Sequence, residues 1–230
     1  MIFKMLTFEQ KNELNKKGFL FLKKFRDDLS TKEIGILLGN IIDVEKIHPD
    51  NNIKNIQKLV PKESSEKIKN TYSSIFGYDQ FPLHSDYAHW ITPPRYLLLR
   101  CIVGSTYVHT RLLHSSMILN SHGDLCRKAI VSSRRKSIEQ KIIPMPILFE
   151  RNGIHGFRWD SIFLEKINSS AKKLNEIMKD FNNNECVNFN LENLGDLLIV
   201  DNWKTLHGRS SVPKFASDRV IERVFLNDLK

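Results

Sequence analysis

The sequence predicts an α+β protein that is mainly β, with an antiparallel sandwich or barrel at its core and helices at its flanks. Most segments with strand character lie in the middle and the C-terminal part of the chain, and segments with helical periodicity precede or interrupt them. No internal repeat or low-complexity linker divides the chain, so residues 1–230 are predicted to form a single domain.

The N-terminal part is predicted to contain two short helices and one strand. The first helix covers residues 7–17, because its first residue is a threonine that can cap it, Gln10 completes a capping box and Gly18 ends it. Residues 19–22 indicate a short buried strand. A second helix at 31–38 carries an apolar stripe along one face.

The remaining elements supply the predicted sheet and the longest helix. Residues 96–103 are a strong strand candidate, because they follow a proline pair and end at a glycine. Residues 115–142 are polar and basic, which favours a loop with some helix. Apolar residues near helical spacing predict one helix over 161–181. The other predicted strands are 146–150 and 156–159 around a hairpin turn at Asn152-Gly153, then 187–191, 196–200 and 220–226.

Composition and charge limit the classes of partner. Hydrophobic residues make up 41% and charged residues 27%, and no apolar run reaches the roughly 20 residues that span a bilayer. Cys101, Cys126 and Cys186 form no CxxC pair, so we expect a cytoplasmic protein without a disulfide framework and without a membrane partner. The net charge of +9 permits nucleic-acid binding. Lys and Arg are scattered, however, so nucleic acid is disfavoured and a small anionic ligand suits the charge equally well. The sequence is also compatible with an oligomer of this chain.

Three triplets have the form His-x-Asp, which by itself is a weak signal, so the context of each triplet must decide. His48-Pro49-Asp50 and His122-Gly123-Asp124 are typical of turns. His84-Ser85-Asp86 can lie in extended chain, where residues i and i+2 point to the same side and an imidazole and a carboxylate converge. The triplet at residues 84–86 is therefore the candidate for two metal ligands.

A third ligand must come from a distant segment, and His207, beyond the predicted strand 196–200, is the candidate. Two histidines and one carboxylate leave three positions of an octahedral metal open, an arrangement associated with Fe(II) and O₂ chemistry. Arg219 and Arg223 share a face of the last strand, and a guanidinium is a bidentate partner for a carboxylate. The hydroxyl of Thr106 can contact the same carboxylate.

These residues resemble the taurine dioxygenase (TauD) and clavaminate synthase-like family of Fe(II)- and 2-oxoglutarate-dependent oxygenases. The resemblance runs from about residue 70 to the C-terminus. Besides Thr106, Arg219 and Arg223, it is carried by these segments: Asn70-Thr71-Tyr72-Ser73, Phe81-Pro82-Leu83-His84-Ser85-Asp86, Pro93-Pro94-Arg95-Tyr96, Phe157-Arg158-Trp159-Asp160, Asp201-Asn202-Trp203 and Leu206-His207-Gly208-Arg209.

The resemblance implies a double-stranded β-helix (jelly-roll) core and a role for each matching residue. His84, Asp86 and His207 would bind Fe(II), and Arg219 would bind the distal carboxylate of 2-oxoglutarate with help from Thr106. The residues implied near the substrate are Arg223, Arg158 and Asp160. One departure is that the usual Gly-Gly-x-Thr is here Val103-Gly104-Ser105-Thr106.

The activity implied is the O₂-dependent hydroxylation of a C–H bond in a small molecule, an amino acid or a natural-product intermediate, with release of succinate and CO₂. Two alternatives stay open: a non-catalytic metal-binding jelly-roll protein, and an oxygenase directed at nucleic acid. At the residue level, Arg223 can equally be a sheet-edge charge, and Arg158 with Asp160 can equally be an ion pair in a hairpin.

Overall fold

The structure is a computed structural model that describes residues 5–47, 53–65, 71–134, 143–181 and 186–230. His48-Pro49-Asp50 and Asn70 lie outside the described residues. The helices are α1 (Phe8–Lys17), α2 (Thr31–Leu38), α3 (Val44–Ile47), α4 (Tyr72–Phe76), α5 (Ser115–Lys128) and α6 (Ser169–Asp180). The strands are β1 (Phe19–Leu22), β2 (Gly39–Ile41), β3 (Gln57–Leu59), β4 (Phe81–His84), β5 (Tyr96–Val103), β6 (His109–His114), β7 (Ile130–Ser133), β8 (Met145–Pro146), β9 (Leu148–Arg151), β10 (Ile154–Phe157), β11 (Leu164–Lys166), β12 (Val187–Asn190), β13 (Leu197–Asp201), β14 (Thr205–Arg209) and β15 (Val220–Leu229).

Two antiparallel sheets form the centre of the molecule. The larger sheet has the strand order β1-β13-β5-β15-β2, with β3 also paired to β15. The smaller sheet has the order β12-β6-β14-β4. Leu99 and Phe225 of the larger sheet pack against Leu112 of the smaller one, so a hydrophobic core lies between the two sheets.

Helices cover the outer faces of both sheets. Because neighbouring strand residues point to opposite faces, Leu98 turns away from the core between the sheets and packs with Leu14 of α1 and Ile34 of α2. On the other side, Leu113 of β6 packs with Ile118 of α5. The prediction of a mainly β protein with antiparallel sheets and helical flanks is confirmed. Among the described residues, none of the helices has the length and the hydropathy needed to cross a membrane.

The cap and turn signals found in the sequence form the expected local structures. Thr7 and Gln10 make the capping box of α1, and Gly18 ends that helix with a left-handed φ of 76°. At the predicted hairpin, Asn152 and Gly153 have positive φ angles of 52° and 73° and connect β9 to β10.

One segment is more regular than predicted and another is less helical. Within the segment predicted as a loop with some helix, residues 115–128 form one helix with a kink at His122 (φ −136°), because the helix buries Ile118 and Cys126 against the smaller sheet. The predicted helix 161–181 begins only at Ser169, where the side chain of Asn168 caps α6. Before that point β11 pairs with β7, so β-pairing takes precedence over the helical spacing of the apolar residues.

Candidate metal centre and adjoining cleft

His84, Asp86 and His207 come together at one end of the smaller sheet. β4 and β14 are neighbours in that sheet and place His207 opposite His84, and Asp86 follows two residues later. Nε2 of His207 lies 3.4 Å from Oδ2 of Asp86, and Nε2 of His84 lies 3.9 Å from Oδ1. All three residues are buried, and their ligand atoms lie within 4.8 Å of one another. Within the described ranges no other group of His, Cys, Asp or Glu has this geometry.

His84 is oriented by its neighbours so that one ring nitrogen faces the group. Its Nδ1 lies 2.8 Å from the carbonyl oxygen of Pro82 and donates to it, which leaves the lone pair of Nε2 free for a metal. The ring of Tyr72 stacks on the imidazole with centroids 3.9 Å apart. Burial lowers the pKa of His84 to about 3, so the ring is in the neutral form that binds metals.

Asp86 is held through its backbone and through its carboxylate. Its N–H donates to Oδ1 of Asn202 at 2.8 Å, and Nδ2 of Asn202 donates to its carbonyl oxygen at 3.0 Å. Nη1 of Arg223 donates to both carboxylate oxygens, at 3.0 and 2.9 Å. Burial alone would raise the pKa of Asp86, but Arg223 holds that pKa well below its usual range and keeps the carboxylate ionised.

These residues fit a divalent transition metal. Two neutral imidazole nitrogens and one carboxylate oxygen are the ligand set associated with Fe(II), and neighbouring residues already orient His84 and Asp86. His207 directs its Nε2 toward the carboxylate of Asp86, so the ligand atoms of all three residues face one point. The triad therefore forms the candidate metal centre.

A cleft of about 1000 Å³ opens from the candidate metal centre. Arg219 and Thr110 both line it and both are buried. Within the described part of the chain the guanidinium of Arg219 makes no ion pair, its Nε has no partner, and burial lowers its pKa to about 10. Because a buried charge without a counterion is costly, Arg219 indicates a place for the carboxylate of a ligand.

Thr106 lies elsewhere. It is exposed, does not line the cleft, and its carbonyl oxygen accepts a hydrogen bond from Asn190. Thr110, which the sequence analysis missed, lines the same cleft as Arg219. Alternation along β6 would have identified it, since Thr110 and Leu112 face the interior between the sheets, but β6 was not predicted.

Arg158 does not line the cleft and makes no ion pair with Asp160, so neither interpretation holds for Arg158. Its Nη1 donates to the carbonyl oxygen of Ala88 at 3.1 Å and to that of Trp90, and its Nη2 donates to Ile91 at 2.8 Å. Burial lowers the pKa of Arg158 to about 10. Arg158 thus holds the backbone turn that follows Asp86.

Asp160 lines the cleft, but its carboxylate accepts hydrogen bonds from the backbone of its own turn. Its Oδ1 accepts the N–H groups of Ile162 at 2.8 Å and Phe163 at 2.7 Å. Burial raises the pKa of Asp160. The carboxylate therefore shapes the wall of the cleft formed by Phe163.

The remaining His-x-Asp triplet in the described residues is separate from the candidate metal centre. His122 and Asp124 lie at the kink of α5 and line a hollow of about 460 Å³ that shares no residue with the cleft. Asp124 is exposed and pairs with Arg127 at 2.5 Å. This placement agrees with the choice of residues 84–86.

The comparisons with known proteins agree on the fold. No family model matches this sequence, and no curated protein matches it. Asparagine oxygenase, solved with Fe(II), (2S,3S)-3-hydroxyasparagine and succinate, has a TM-score of 0.63 and 20% identity over 82% of this chain and 60% of its own. PvcB from Pseudomonas aeruginosa has a TM-score of 0.65 and 19% identity over 96% of this chain and 82% of its own. OrfP, solved with Fe and α-ketoglutaric acid, has a TM-score of 0.57 and 16% identity over 79% of this chain and 59% of its own.

The chain therefore has the fold of the iron- and 2-oxoglutarate-dependent oxygenases. PvcB is described as an Fe, α-ketoglutarate-dependent oxygenase from an isonitrile synthetic pathway. The resemblance found in the sequence is confirmed at the level of the fold. The chain spans about three fifths of the length of asparagine oxygenase.

Proposed function

We propose that this chain is an Fe(II)- and 2-oxoglutarate-dependent dioxygenase. It hydroxylates a C–H bond of a small molecule, an amino acid or a natural-product intermediate, and releases succinate and CO₂. The observation that carries this proposal is that the buried group of His84, Asp86 and His207 shares one cleft with the buried guanidinium of Arg219, which has no ion pair among the described residues. The oxygenases of the same fold that are named above support it.

Each residue of the site has a proposed role. His84, Asp86 and His207 would hold Fe(II), which when bound supplies the activation of O₂ coupled to the oxidative decarboxylation of 2-oxoglutarate. Arg219 would bind the distal carboxylate of 2-oxoglutarate. We assign the accompanying hydroxyl to Thr110 in place of Thr106, because only Thr110 lines the cleft.

Two arginines have positioning roles in this proposal. Arg223 keeps Asp86 ionised and directs both carboxylate oxygens, and Arg158 holds the turn that follows Asp86. Neither guanidinium needs to touch the substrate. Asp160 and the aromatic rings of Tyr72 and Phe163 line the part of the cleft where the substrate would lie, and the rings exclude water from it.

The proposal extends to the fold and its setting. The two antiparallel sheets with a core between them support a double-stranded β-helix, and residues 1–230 would form one catalytic domain. Three free cysteines, two of them buried, support a reducing cytoplasmic location. The partner would be a small molecule.

The first experiment tests loading and turnover. Metal-free protein is mixed under argon with Fe(II) and then with 2-oxoglutarate, and the visible charge-transfer absorption is recorded. Air is then admitted and succinate is measured. We expect stoichiometric Fe(II) binding, an absorption band that depends on 2-oxoglutarate, and succinate formation. Retention of Zn(II) in preference to Fe(II), with neither band nor succinate, would support the non-catalytic alternative.

A further inference from the structure

The cleft carries far more positive than negative charge. Its described lining includes five cationic side chains and two carboxylates, Asp86 and Asp160. The cations are Lys62, Arg134, Arg209, Arg219 and Arg223. Lys58 also borders the cleft, but it alternates along its strand with Gln57, which contacts Arg223, so the ammonium group of Lys58 points to the other face of the sheet. Five charges against two leave an excess of three, which requires a counterion.

The proposed cofactors do not neutralise this excess. Fe(II) and 2-oxoglutarate carry formal charges of equal size and opposite sign, so binding both leaves the balance unchanged. Arg223 is paired with Asp86, and Arg219 is the proposed partner of one carboxylate of 2-oxoglutarate. The positive charge of the outer cleft is therefore left for a third molecule.

The three cations outside the inner site are Lys62, Arg134 and Arg209, and they make no ion pair in the described part of the chain. Lys62 and Arg134 are exposed at the rim, and among the described residues Nη1 of Arg134 donates to the carbonyl oxygen of Ile162, at 3.3 Å. Arg209 lies deeper, with its guanidinium 3.7 Å from the ring centre of Phe81. These contacts orient the cations without cancelling their charge.

Neutral acceptors also satisfy the donors of Arg209. Its Nη2 donates to the backbone carbonyl oxygens of Gly77 at 2.8 Å and Asp79 at 2.7 Å. Asp160, the remaining acid of the cleft, already accepts two backbone N–H groups, and burial raises its pKa. Among the described residues, the cleft outside the metal centre thus lacks an effective internal counter-charge, and its partly enclosed walls strengthen the field.

We propose that the substrate of this enzyme is a small anion that carries a carboxylate or a phosphate besides any α-carboxylate. This additional anionic group binds at the cationic rim formed by Lys62 and Arg134. The proposal rests on the proposed function, because it assigns the positive charge of the inner site to 2-oxoglutarate. It distinguishes this chain from asparagine oxygenase and OrfP, whose structures contain hydroxyasparagine and hydroxylated arginine.

The test compares charged and uncharged members of matched pairs. Protein loaded with Fe(II) and 2-oxoglutarate is mixed with L-aspartate or L-asparagine, L-glutamate or L-glutamine, and O-phospho-L-serine or L-serine, and 2-oxoglutarate consumption is followed. We expect the anionic member of at least one pair to half-saturate at a concentration about tenfold lower than its neutral partner. Comparison of the acidic amino acids with O-phospho-L-serine shows whether the rim prefers a carboxylate or a phosphate. An equal response to both members of every pair, or no response to any, overturns the proposal.

Charge reversal locates the effect. Lys62→Glu and Arg134→Glu should each raise the half-saturating concentration of the preferred anion roughly three- to tenfold relative to its neutral partner. Lys16→Glu, on α1 outside the cleft, is the matched control and should leave that ratio unchanged. If the wild-type protein binds no 2-oxoglutarate, the proposed function fails. If it binds and consumes 2-oxoglutarate without favouring anions, only the present inference fails.

Discussion

Backbone and side-chain groups outside the triad orient two of its three members. The carbonyl of Pro82 fixes the ring of His84, while Asn202 and Arg223 hold the backbone and the carboxylate of Asp86. Such outer contacts preset the direction of each ligand atom before a metal binds. A single substitution can therefore act either on a ligand or on its support, and the two kinds should give different results.

Loss of a ligand should abolish the activity. We expect His84→Ala or Asp86→Ala to reduce Fe(II)-dependent 2-oxoglutarate consumption to background, because two ligands bind Fe(II) weakly and Asp86→Ala also leaves Arg223 unpaired. Succinate release and bound iron are the measurements. His122→Ala, at the kink of α5, is the control and should behave like the wild type. Wild-type rates in either ligand variant would contradict the assignment of the centre.

Loss of the cationic partner should affect the cosubstrate instead of the metal. Arg219→Ala is expected to raise the half-saturating 2-oxoglutarate concentration by about 10- to 100-fold, since it removes charge-assisted hydrogen bonds worth about 1.5–3 kcal/mol. Bound iron should stay stoichiometric. Thr110→Val should give a smaller increase and Thr106→Ala none. An effect of Thr106→Ala larger than that of Thr110→Val would restore the role first predicted from the sequence.

The sequence alone predicted the three triad residues and Arg219, because extended spacing and the resemblance both selected them. It did not predict Thr110 or the clamp made by Arg158. Both depend on knowing which strand lies beside which, and the spacing of residues along one chain does not contain that information. Asn202 was quoted only as part of a motif, and its contact with Asp86 joins segments 116 residues apart.

At the scale of elements, local hydrogen bonding explains where the sequence-based assignment was wrong. In the segment predicted as one long helix, Asp160 accepts the N–H groups of residues 162 and 163, and Asn168 accepts that of Ala171. Both side chains therefore favour a turn and a cap over continued helix. Residues 115–128 show the opposite case, because packing against the smaller sheet stabilises more helix than the polar sequence suggests.

The turn after Asp86 should depend on Arg158. The turn contains Tyr87 at a left-handed φ of 52°, a strained conformation that must be held by its surroundings. Arg158→Lys cannot reach all three carbonyl groups, so we expect it to lower the free energy of unfolding by roughly 2–4 kcal/mol. It should also weaken Fe(II) binding about tenfold, through the displaced turn.

Chemical denaturation and metal titration check this expectation, and faster hydrogen exchange across residues 86–91 in the metal-free variant is an independent readout. Arg151→Lys, an exposed change in the hairpin of β9, is the matched control. Unchanged metal affinity together with reduced stability would show that the clamp supports the fold alone.

At the scale of the whole molecule, burial of Lys166 couples stability to pH. Its Nζ donates to the carbonyl oxygens of Ser161 at 2.7 Å and Leu164 at 2.8 Å, and burial lowers its pKa from 10.5 to about 8. Between pH 8 and 10.5 the unfolded chain therefore binds more protons at this site than the folded chain, so this site makes the folded state more stable as pH rises.

The difference in unfolding free energy between wild type and Lys166→Met should thus shift in favour of the wild type between pH 7 and pH 10. Urea denaturation at several pH values measures it. Burial also raises the pKa of Cys101 to about 11, so this thiol lowers the stability of the folded state as pH rises. Because wild type and Lys166→Met share the thiol, its contribution cancels in the difference between them. Lys172→Met, exposed on α6, is the matched control. A flat profile for Lys166→Met would contradict the expectation.

The contact between Asp86 and Arg223 has a further consequence, because it bridges the two halves of the sandwich. Asp86 follows β4 of the smaller sheet, whereas Arg223 belongs to β15 of the larger one. A motion that separates the two sheets at this end would withdraw the guanidinium of Arg223 and leave the carboxylate of Asp86 solvated and able to rotate. Entry of large molecules and retention of iron then place opposite requirements on the contact between Asp86 and Arg223. This favours compact ligands that enter while the two sheets stay together.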